Sequence, residues 1–248
     1  MIIISNLSKS FGSKNVLQGV NLKIYDGESL VILGPSGCGK SVLLKHIIGL
    51  LKPDGGQVII DGEDITGYKQ SQLDALRMRM GMLFQSAALF DSLTVEENIA
   101  FGLRKHTALS SLAIHHIASE KLEMVGLPGA NNLMPSELSG GMRKRVGLAR
   151  AIAMEPEIIL YDEPTTGLDP IMTAAIDELH LSLKERLGVT SIVVTHDLGS
   201  AYRVADRIAL HYGGRIVTIG TKDEIVNSPD PLVQQFIRGE AKGPMNLL

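Results

Sequence analysis

Short apolar runs alternate with longer segments of helical length along this chain of 248 residues. The runs at 29–33, 158–161, 191–195 and 207–211 are rich in β-branched residues and are predicted as buried strands, and a helical segment precedes each of the last three. This order is typical of a mostly parallel sheet whose strands are connected by crossover helices. The pattern therefore predicts an α/β fold.

The beginning of the chain has a different pattern, with an apolar run within 1–6 that predicts a first strand and alternating segments after it. Turn clusters at 53–56 and 61–62 bracket a further strand predicted for 57–60. Together these segments predict an antiparallel β flank beside the parallel sheet.

A third pattern covers 88–152, where the strand signal fades and helical segments dominate, interrupted by turns at 126–129 and 135–136. We interpret this stretch as a helical subdomain inserted into one domain that covers 2–238. The tail at 239–248 contains glycine and proline and is predicted to lie outside the core.

Composition limits the functions that the chain can serve. With 44% hydrophobic and 21% charged residues it can bury a substantial core, which excludes global disorder. The formal charge of −3 and the 4% aromatic content without Trp provide neither a basic surface nor stacking platforms, so no nucleic-acid partner is expected. The basic run at 143–145 is predicted to be a solvated face of a helix and not a nucleic-acid patch.

No apolar stretch reaches the roughly 20 residues that cross a bilayer, and the start of the chain lacks the basic region and cleavage site of an export signal. Cys38 is the single cysteine, which agrees with a reducing compartment. His106, His115 and His116 lack the spacing of a metal site and are predicted to lie on the surface or to face a partner. We therefore expect a cytoplasmic protein.

One motif carries phosphate chemistry. The residues between the first buried strand and a helix predicted for 41–51 fit the pattern G-x-x-x-x-G-K-[ST], and they are Gly34, Pro35, Ser36, Gly37, Cys38, Gly39, Lys40 and Ser41. Glycines let backbone N–H groups turn toward a phosphate, and the start of the helix adds its positive dipole end. Lys40 can reach the β- and γ-phosphates of a nucleotide, and the Ser41 hydroxyl can bind Mg²⁺. A purely structural turn is the alternative, and the spacing together with the Lys-Ser ending favours phosphate binding.

Two carboxylates, Asp162 and Glu163, follow the apolar strand at 158–161, at the end of a parallel sheet where ligands bind. Asp162 suits the Mg²⁺ shell, either directly or through water, and Glu163 can polarise the attacking water as general base. Carboxylates at strand ends are often only solvated, and it is the phosphate loop that favours the functional interpretation.

The order of these motifs resembles the ATP-binding cassette (ABC) family over nearly the whole chain, from Ile2 to Arg238. The segment at 138–142, Leu-Ser-Gly-Gly-Met, resembles the family's LSGGQ signature, which other phosphate-loop ATPases lack. Further positions resemble the Q-loop glutamine (Gln85), the D-loop aspartate (Asp169), the switch histidine (His196) and the adenine contacts (Phe11 and Val16). Met142 and Phe11 depart from the usual glutamine and tyrosine, and phenylalanine keeps the stacking face.

The resemblance implies that two cassettes dimerise head to tail, so that each ATP lies between the phosphate loop of one copy and the signature of the other. Ser139, Gly140 and Gly141 would then supply a second anion site in trans, with a hydroxyl and backbone N–H groups at a predicted helix start.

The resemblance also assigns roles in catalysis. Gln85 would contact Mg²⁺ and water, His196 would hold the γ-phosphate with Lys40, and Asp169 would belong to the nucleotide site. Because Glu163 and His196 are both present, the resemblance implies ATP hydrolysis and not binding alone.

Within the family, 139–151 resembles the ATPases of MCE-type lipid transporters, such as the Mla phospholipid-transport system, as do 89–95, 97–101 and parts of the ending between 230 and 244. This implies a subunit at the cytoplasmic face of the inner membrane that drives a permease and works with an MCE-domain protein. The helices after Gln85 would contact the permease, and the tail would contact the opposing cassette. Two alternatives stay open, namely a cassette for another solute and a division-type regulator that transports nothing.

Overall fold

The computed structural model describes residues 1–245, which form two compact units. The first unit combines 1–73 with the chain from 192 onward, and the second unit covers 74–191. Both units mix strands and helices, so the α/β prediction is confirmed.

Ten strands lie in the described part of the chain. They are β1 (Ile2–Phe11), β2 (Lys14–Ile24), β3 (Ser29–Leu33), β4 (Gly55–Ile60), β5 (Glu63–Asp64), β6 (Met80–Leu83), β7 (Ile158–Asp162), β8 (Thr190–Thr195), β9 (Arg207–Tyr212) and β10 (Arg215–Thr221).

Nine α-helices lie in the same residues. They are α1 (Lys40–Ile47), α2 (Gln70–Met78), α3 (Val95–His106), α4 (Ser111–Met124), α5 (Gly140–Ile152), α6 (Pro170–Leu187), α7 (Leu198–Val204), α8 (Lys222–Val226) and α9 (Pro231–Arg238). Short 3₁₀ turns cover Ile65–Gly67 and Pro135–Glu137.

The first unit holds the predicted antiparallel flank. Its strands have the order β2-β1-β4-β5, and every neighbouring pair is antiparallel, with Ile2 opposite both Ile24 and Ile60. A second group of strands in this unit has the order β10-β9-β3-β8. There β3 runs parallel to β9, with Leu30 opposite Arg207. Because both faces of a parallel strand are covered, β3 reads as a continuous apolar run, and all five of its residues are buried.

The helix after β3 is shorter than the sequence pattern predicts. It ends at Ile47 and not at residue 51, because Gly49 has a φ of +69° and the following amides of Leu50 and Leu51 turn back to the Lys45 carbonyl. Glycine is favoured here by its positive φ, and a side-chain carbon at Gly49 would lie 2.6 Å from Leu73 Cδ2, which would have to shift.

The second unit contains the whole stretch predicted to be helical, and α3, α4 and α5 lie there. A capping box in which Thr94 and Glu97 bond each other's backbone amide fixes the start of α3. Strands β6 and β7 pair in parallel, with Met80 opposite Ile158. Helix α5 approaches β6 so closely that a side-chain carbon at Gly81 would lie 2.4 Å from the Ala151 carbonyl oxygen.

The tail differs from its prediction in one respect. Met245 is only 5% exposed, and its amide donates to Gln235 Oε1 at 2.6 Å, so this residue packs in the first unit. Residues 239–244 are exposed, and the last part of the predicted tail, 246–248, lies outside the described residues. Among residues 1–245, none of the helices is long and apolar enough to cross a membrane.

Candidate nucleotide-binding and catalytic site

The phosphate loop of the first unit connects the end of β3 to the start of α1. Its glycines are needed for different reasons. A side-chain carbon at Gly34 would lie 2.3 Å from the His211 carbonyl oxygen, whereas Gly39 has a φ of +111° as the residue before the helix. Ser36 and Gly37 stay exposed at the tip of the loop. The loop therefore has the narrow backbone that lets a phosphate approach N–H groups closely.

Lys40 provides the positive charge of this loop. The residue is 4% exposed, and its Nζ donates to the carbonyl oxygens of Gly34 and Pro35 at 2.8 and 3.0 Å. These bonds draw the ammonium group to the inner side of the loop, where an anion held by the backbone would meet it. The loop and Lys40 thus fit a phosphate group, and Ser41 follows at the first turn of α1.

A histidine that the sequence pattern did not single out lies against this loop. His211, near the end of β9, is fully buried, and its Nδ1 lies 3.2 Å from Cys38 Sγ. Burial, together with the charge of Lys40, lowers the pKa of His211 from 6.5 to about 4. The imidazole is therefore neutral at pH 7 and adds no second positive charge beneath the phosphate loop.

Three other predicted site residues belong to the first unit. Val16 Cγ1 would lie 2.9 Å from a side-chain carbon at Gly39, so Val16 is directly beside the loop. Phe11, at the end of β1, is 48% exposed and leaves ring surface for stacking. His196 is exposed immediately after β8, and the next residue, Asp197, caps α7 by accepting from the Ser200 amide.

The paired carboxylates lie in the second unit at the end of β7. Asp162 and Glu163 are each 8% exposed. Glu163 has a φ of +48°, a conformation that L-residues rarely adopt, and its Oε2 accepts a hydrogen bond from Thr166 Oγ1 at 3.2 Å. Backbone strain of this kind is maintained only when neighbouring contacts impose it, and it is concentrated at functional sites.

Gln85 follows β6 in the same unit and is exposed. Because β6 and β7 are parallel neighbours, with Leu83 opposite Tyr161, their carboxyl ends meet at one edge of the sheet. Gln85 and Asp162 therefore lie at the same edge, which is where parallel sheets bind ligands. The roles of Gln85 and the two carboxylates toward Mg²⁺ and water stay predictions.

The signature segment begins α5. Ser139 is the N-cap, and its Oγ accepts from the Met142 amide at 3.2 Å, while Ser139 and Gly140 remain exposed. Gly141 is buried, and a side-chain carbon there would lie 2.3 Å from Met172 Cε. The exposed part of the segment thus presents a helix N-terminus to the outside, as an anion site in trans requires.

Asp169 caps the next helix. Its Oδ1 accepts from the amides of Ile171 and Met172 at 2.9 and 3.0 Å at the start of α6. The carboxylate therefore has a structural role in shaping the segment that resembles the D-loop, and its role toward nucleotide stays a prediction.

The prediction of a solvated helix face for the basic run at 143–145 is wrong for Lys144 and in part for Arg145. Lys144 is 5% exposed, and only Arg143 lies at the surface, with its Nη1 donating to the Leu138 carbonyl. Arg145 is half-buried and donates to the Val125 carbonyl at 3.2 Å. Lys144 and Arg145 turn inward toward backbone carbonyls, a feature that charge patterning alone does not reveal.

The three histidines considered as metal ligands are exposed, and His115 Nδ1 lies 2.7 Å from Glu96 Oε2.

Comparison with known proteins gives the family. The family model described as "ABC transporter" matches residues 17–166. The chain belongs to the ABC transporter family. The prediction of an ABC-type ATPase is thereby confirmed, and ATP binding is a property of this family.

Two groups of relatives are similar over almost the whole ABC chain. The "Intermembrane phospholipid transport system ATP-binding protein MlaF" of Haemophilus influenzae is 44% identical over 99% of this chain and 93% of its own length. MlaF of Escherichia coli is 42% identical, with 91% of its length covered. The "Probable ribonucleotide transport ATP-binding protein mkl" of Mycobacterium tuberculosis is also 44% identical, but this chain covers 68% of it.

Solved structures agree with the family. The dimeric ABC transporter cassette MJ0796 is 37% identical, covers 89% of this chain and 98% of its own, and has a TM-score of 0.83. A second structure of MJ0796, a post-hydrolysis dimer bound to ADP and Pi, has a TM-score of 0.82 at 36% identity. CbiO1 of Clostridium perfringens, part of the transporter complex cbiONQ, covers 96% of this chain and 93% of its own at 29% identity, with a TM-score of 0.84.

Proposed function

We propose that this ABC ATPase is the energy-supplying subunit of a membrane complex that transports phospholipid. The observation that carries the proposal is the 44% identity to MlaF of Haemophilus influenzae, which extends over 99% of this chain and 93% of the relative. The mkl protein is equally identical over the same share of this chain, but this chain covers only 68% of it. We therefore favour a phospholipid cargo over the other solutes that ABC transporters carry.

The first unit would bind the nucleotide. The loop from Gly34 to Ser41 would hold the phosphates through its backbone N–H groups, with the Lys40 ammonium turned to the inner side of the loop. Ser41 would bind Mg²⁺ through its hydroxyl. The exposed ring of Phe11 and the neighbouring Val16 would hold the adenine by stacking and apolar contact.

The second unit would supply the hydrolytic groups. Asp162 and Gln85 would complete the ligands of Mg²⁺, which when bound neutralises charge on the phosphates. Glu163 would accept a proton from the attacking water, and the bond from Thr166 Oγ1 to Glu163 Oε2 holds its carboxylate in one orientation. His196, from the first unit, would position the γ-phosphate.

We further propose that two copies of the chain form the active dimer. Ser139 and Gly140 are exposed at the start of α5, so they are accessible to the nucleotide of a second copy, with Gly141 behind them. The dimeric structures of MJ0796, one of them bound to ADP and Pi, support this arrangement. Because one chain contains one phosphate loop and one signature segment, a site in which the two come from different copies needs two chains.

A permease would dock on the helical part of the second unit. Phe90 and Phe101 are each 44% exposed, and their ring centroids lie 4.7 Å apart. Buried Asn98 holds this surface in place, because its side chain bonds both the amide and the carbonyl of Phe90 at 2.8 and 3.1 Å. We propose that this aromatic pair contacts the permease at the cytoplasmic face of the inner membrane, and that an MCE-domain protein completes the complex.

Purification of the tagged chain from detergent-solubilised membranes tests the transport assignment. We expect a permease and an MCE-domain protein in the purified complex, and phospholipid in its organic extract. Similarity to mkl makes a ribonucleotide the second candidate cargo. A complex that retains ribonucleotide but no phospholipid would favour that candidate, and recovery of a division-machinery membrane protein would refute both.

A further inference from the structure

Lys144 is a buried lysine of the second unit that follows the signature segment at 138–142. It occupies the first turns of α5, five positions after Ser139, and only 5% of it is exposed. Ionised lysines are rarely buried to this degree without partners. Its surroundings therefore need an explanation.

The ammonium of Lys144 bonds two loops that meet the reaction site. Nζ donates to the carbonyl oxygen of Gln85 in the Q-loop and to the carbonyl oxygen of Glu163, the latter at 3.2 Å. Burial lowers the pKa of Lys144, and the charges of the Asp162 and Glu163 carboxylates oppose part of that effect. One charged group thus contacts both the loop that would hold water and Mg²⁺ and the residue that would act as base.

Both loops have backbone conformations that need such support. Glu163 has a φ of +48°, and Ala87 and Ala88 in the Q-loop have φ values of +61° and +48°. Arg150, farther along α5, donates to the carbonyls of Ala87 and Ala88 at 2.6 Å each. Helix α5 therefore holds the Q-loop at two points, through Lys144 and through Arg150. Lys144 also connects the Q-loop to Glu163.

Space in this region is limited on one side and open on the other. A side-chain carbon at Gly147, one turn after Lys144, would lie 2.9 Å from Leu83 and 3.1 Å from Ala87, so α5 packs tightly against the start of the Q-loop. On the other side Lys144 and Gln85 line a cavity of about 260 Å³, together with Thr166 and residues of the signature and D-loop. The bond from Lys144 to the Gln85 carbonyl therefore lies beside open space, whereas its bond to the Glu163 carbonyl is buried.

We infer that Lys144 is a positioning residue that sets the Q-loop and Glu163 in register for ATP hydrolysis. It acts through Gln85 and Glu163 and does not itself touch nucleotide. The inference rests on the proposed function, in which Glu163 is the general base. Misplacement of a catalytic group by about 1 Å costs on the order of 100-fold in rate. Loss of the two hydrogen bonds from Lys144 should therefore reduce turnover strongly.

Three variants of the purified full chain test the inference, with steady-state ATP hydrolysis and binding of a fluorescent ATP analogue as readouts. Lys144→Met keeps the length of the side chain and removes both hydrogen bonds, and we expect kcat to fall by about 10- to 100-fold with KM for ATP changed less than about twofold. Lys144→Arg keeps two donors and should restore most of kcat. Lys121→Met is the matched control, because Lys121 is 3% exposed in the same unit and its Nζ donates to the carboxylates of Glu120 and Glu155.

The outcomes separate this inference from the proposed function. An unchanged kcat in Lys144→Met would overturn the role of Lys144, and so would an equal loss in Lys144→Met and Lys121→Met or a loss confined to KM. Glu163→Gln is measured alongside. If it loses turnover while Lys144→Met does not, the base assignment stands and only the positioning role falls. If Glu163→Gln hydrolyses ATP normally, the base assignment and the positioning role both fall.

Discussion

Stability of the first unit should depend on pH through His211, the buried histidine beneath the phosphate loop. Its side chain is fully buried, its Nε2 has no hydrogen-bond partner among residues 1–245, and its pKa is lowered from 6.5 to about 4. A group whose pKa is depressed by folding contributes stability at pH values above its unfolded pKa, and that contribution is lost as the pH falls toward the folded value. Here the relevant window therefore runs from about pH 6.5 down to pH 4.

The size of this effect follows from the two pKa values. At about 1.36 kcal/mol per pKa unit, the full contribution is about 3 kcal/mol, and about 2 kcal/mol of it is already lost at pH 5. His211→Asn removes the titrating group and retains a polar atom toward Cys38. We expect the wild type to lose about 2 kcal/mol more free energy of unfolding than His211→Asn between pH 7.5 and pH 5.

Urea denaturation at a series of pH values, followed by circular dichroism, measures the difference. His116→Asn, which removes an exposed histidine, is the control and should follow the wild type. Parallel stability curves for the wild type and His211→Asn would refute the reasoning. A second check tests the contribution of the Lys40 charge, which also lowers the pKa of His211. Removal of that charge should raise the pKa of His211 in an NMR titration of its ring protons.

Three further predictions concern the nucleotide site. Glu163→Gln should retain ATP binding, lower turnover by about 100-fold or more because the general base is lost, and favour an ATP-trapped dimer in size-exclusion chromatography. Lys40→Ala should weaken ATP binding by about tenfold or more in a fluorescent-analogue titration, since it removes charge-assisted bonds to phosphate, and unchanged affinity would contradict the phosphate-loop assignment. Gly34→Ala should lower both the unfolding temperature and the ATP affinity, because its Cβ would lie 2.3 Å from a backbone oxygen of His211, and a fully stable variant would show that the loop tolerates a side chain there.

Elements with a strong local signal could be predicted from the sequence. The strand at 29–33 is confirmed with the predicted bounds because all five residues are apolar or small and are followed by a glycine-rich turn. The phosphate loop depends on spacing within eight consecutive residues, so it needed no knowledge of distant contacts. The antiparallel flank was also predictable, since its turns are marked by Gly, Pro and Asp.

The properties that could not be predicted depend on contacts between segments that are far apart in the chain. His211 looked like an ordinary strand residue, and its position against Cys38 depends on the pairing of β9 with β3. Lys144 looked like part of a solvated basic run, and its burial depends on carbonyls that lie 59 and 19 residues away. The end of α1 at Ile47 depends on the space between Gly49 and Leu73.

The contacts of α5 give the helix a role that its signature motif alone does not indicate. Its N-terminus presents Ser139 and Gly140, which would meet the nucleotide of a second copy. Farther along the same helix, Lys144 and Arg150 bond the carbonyls of Gln85, Ala87 and Ala88. If this helix of 13 residues moved as one body, a displacement of its N-terminus would reach these carbonyls. Closure of a dimer on the signature would therefore move the Q-loop directly, and Lys144 would extend that movement to the backbone of Glu163.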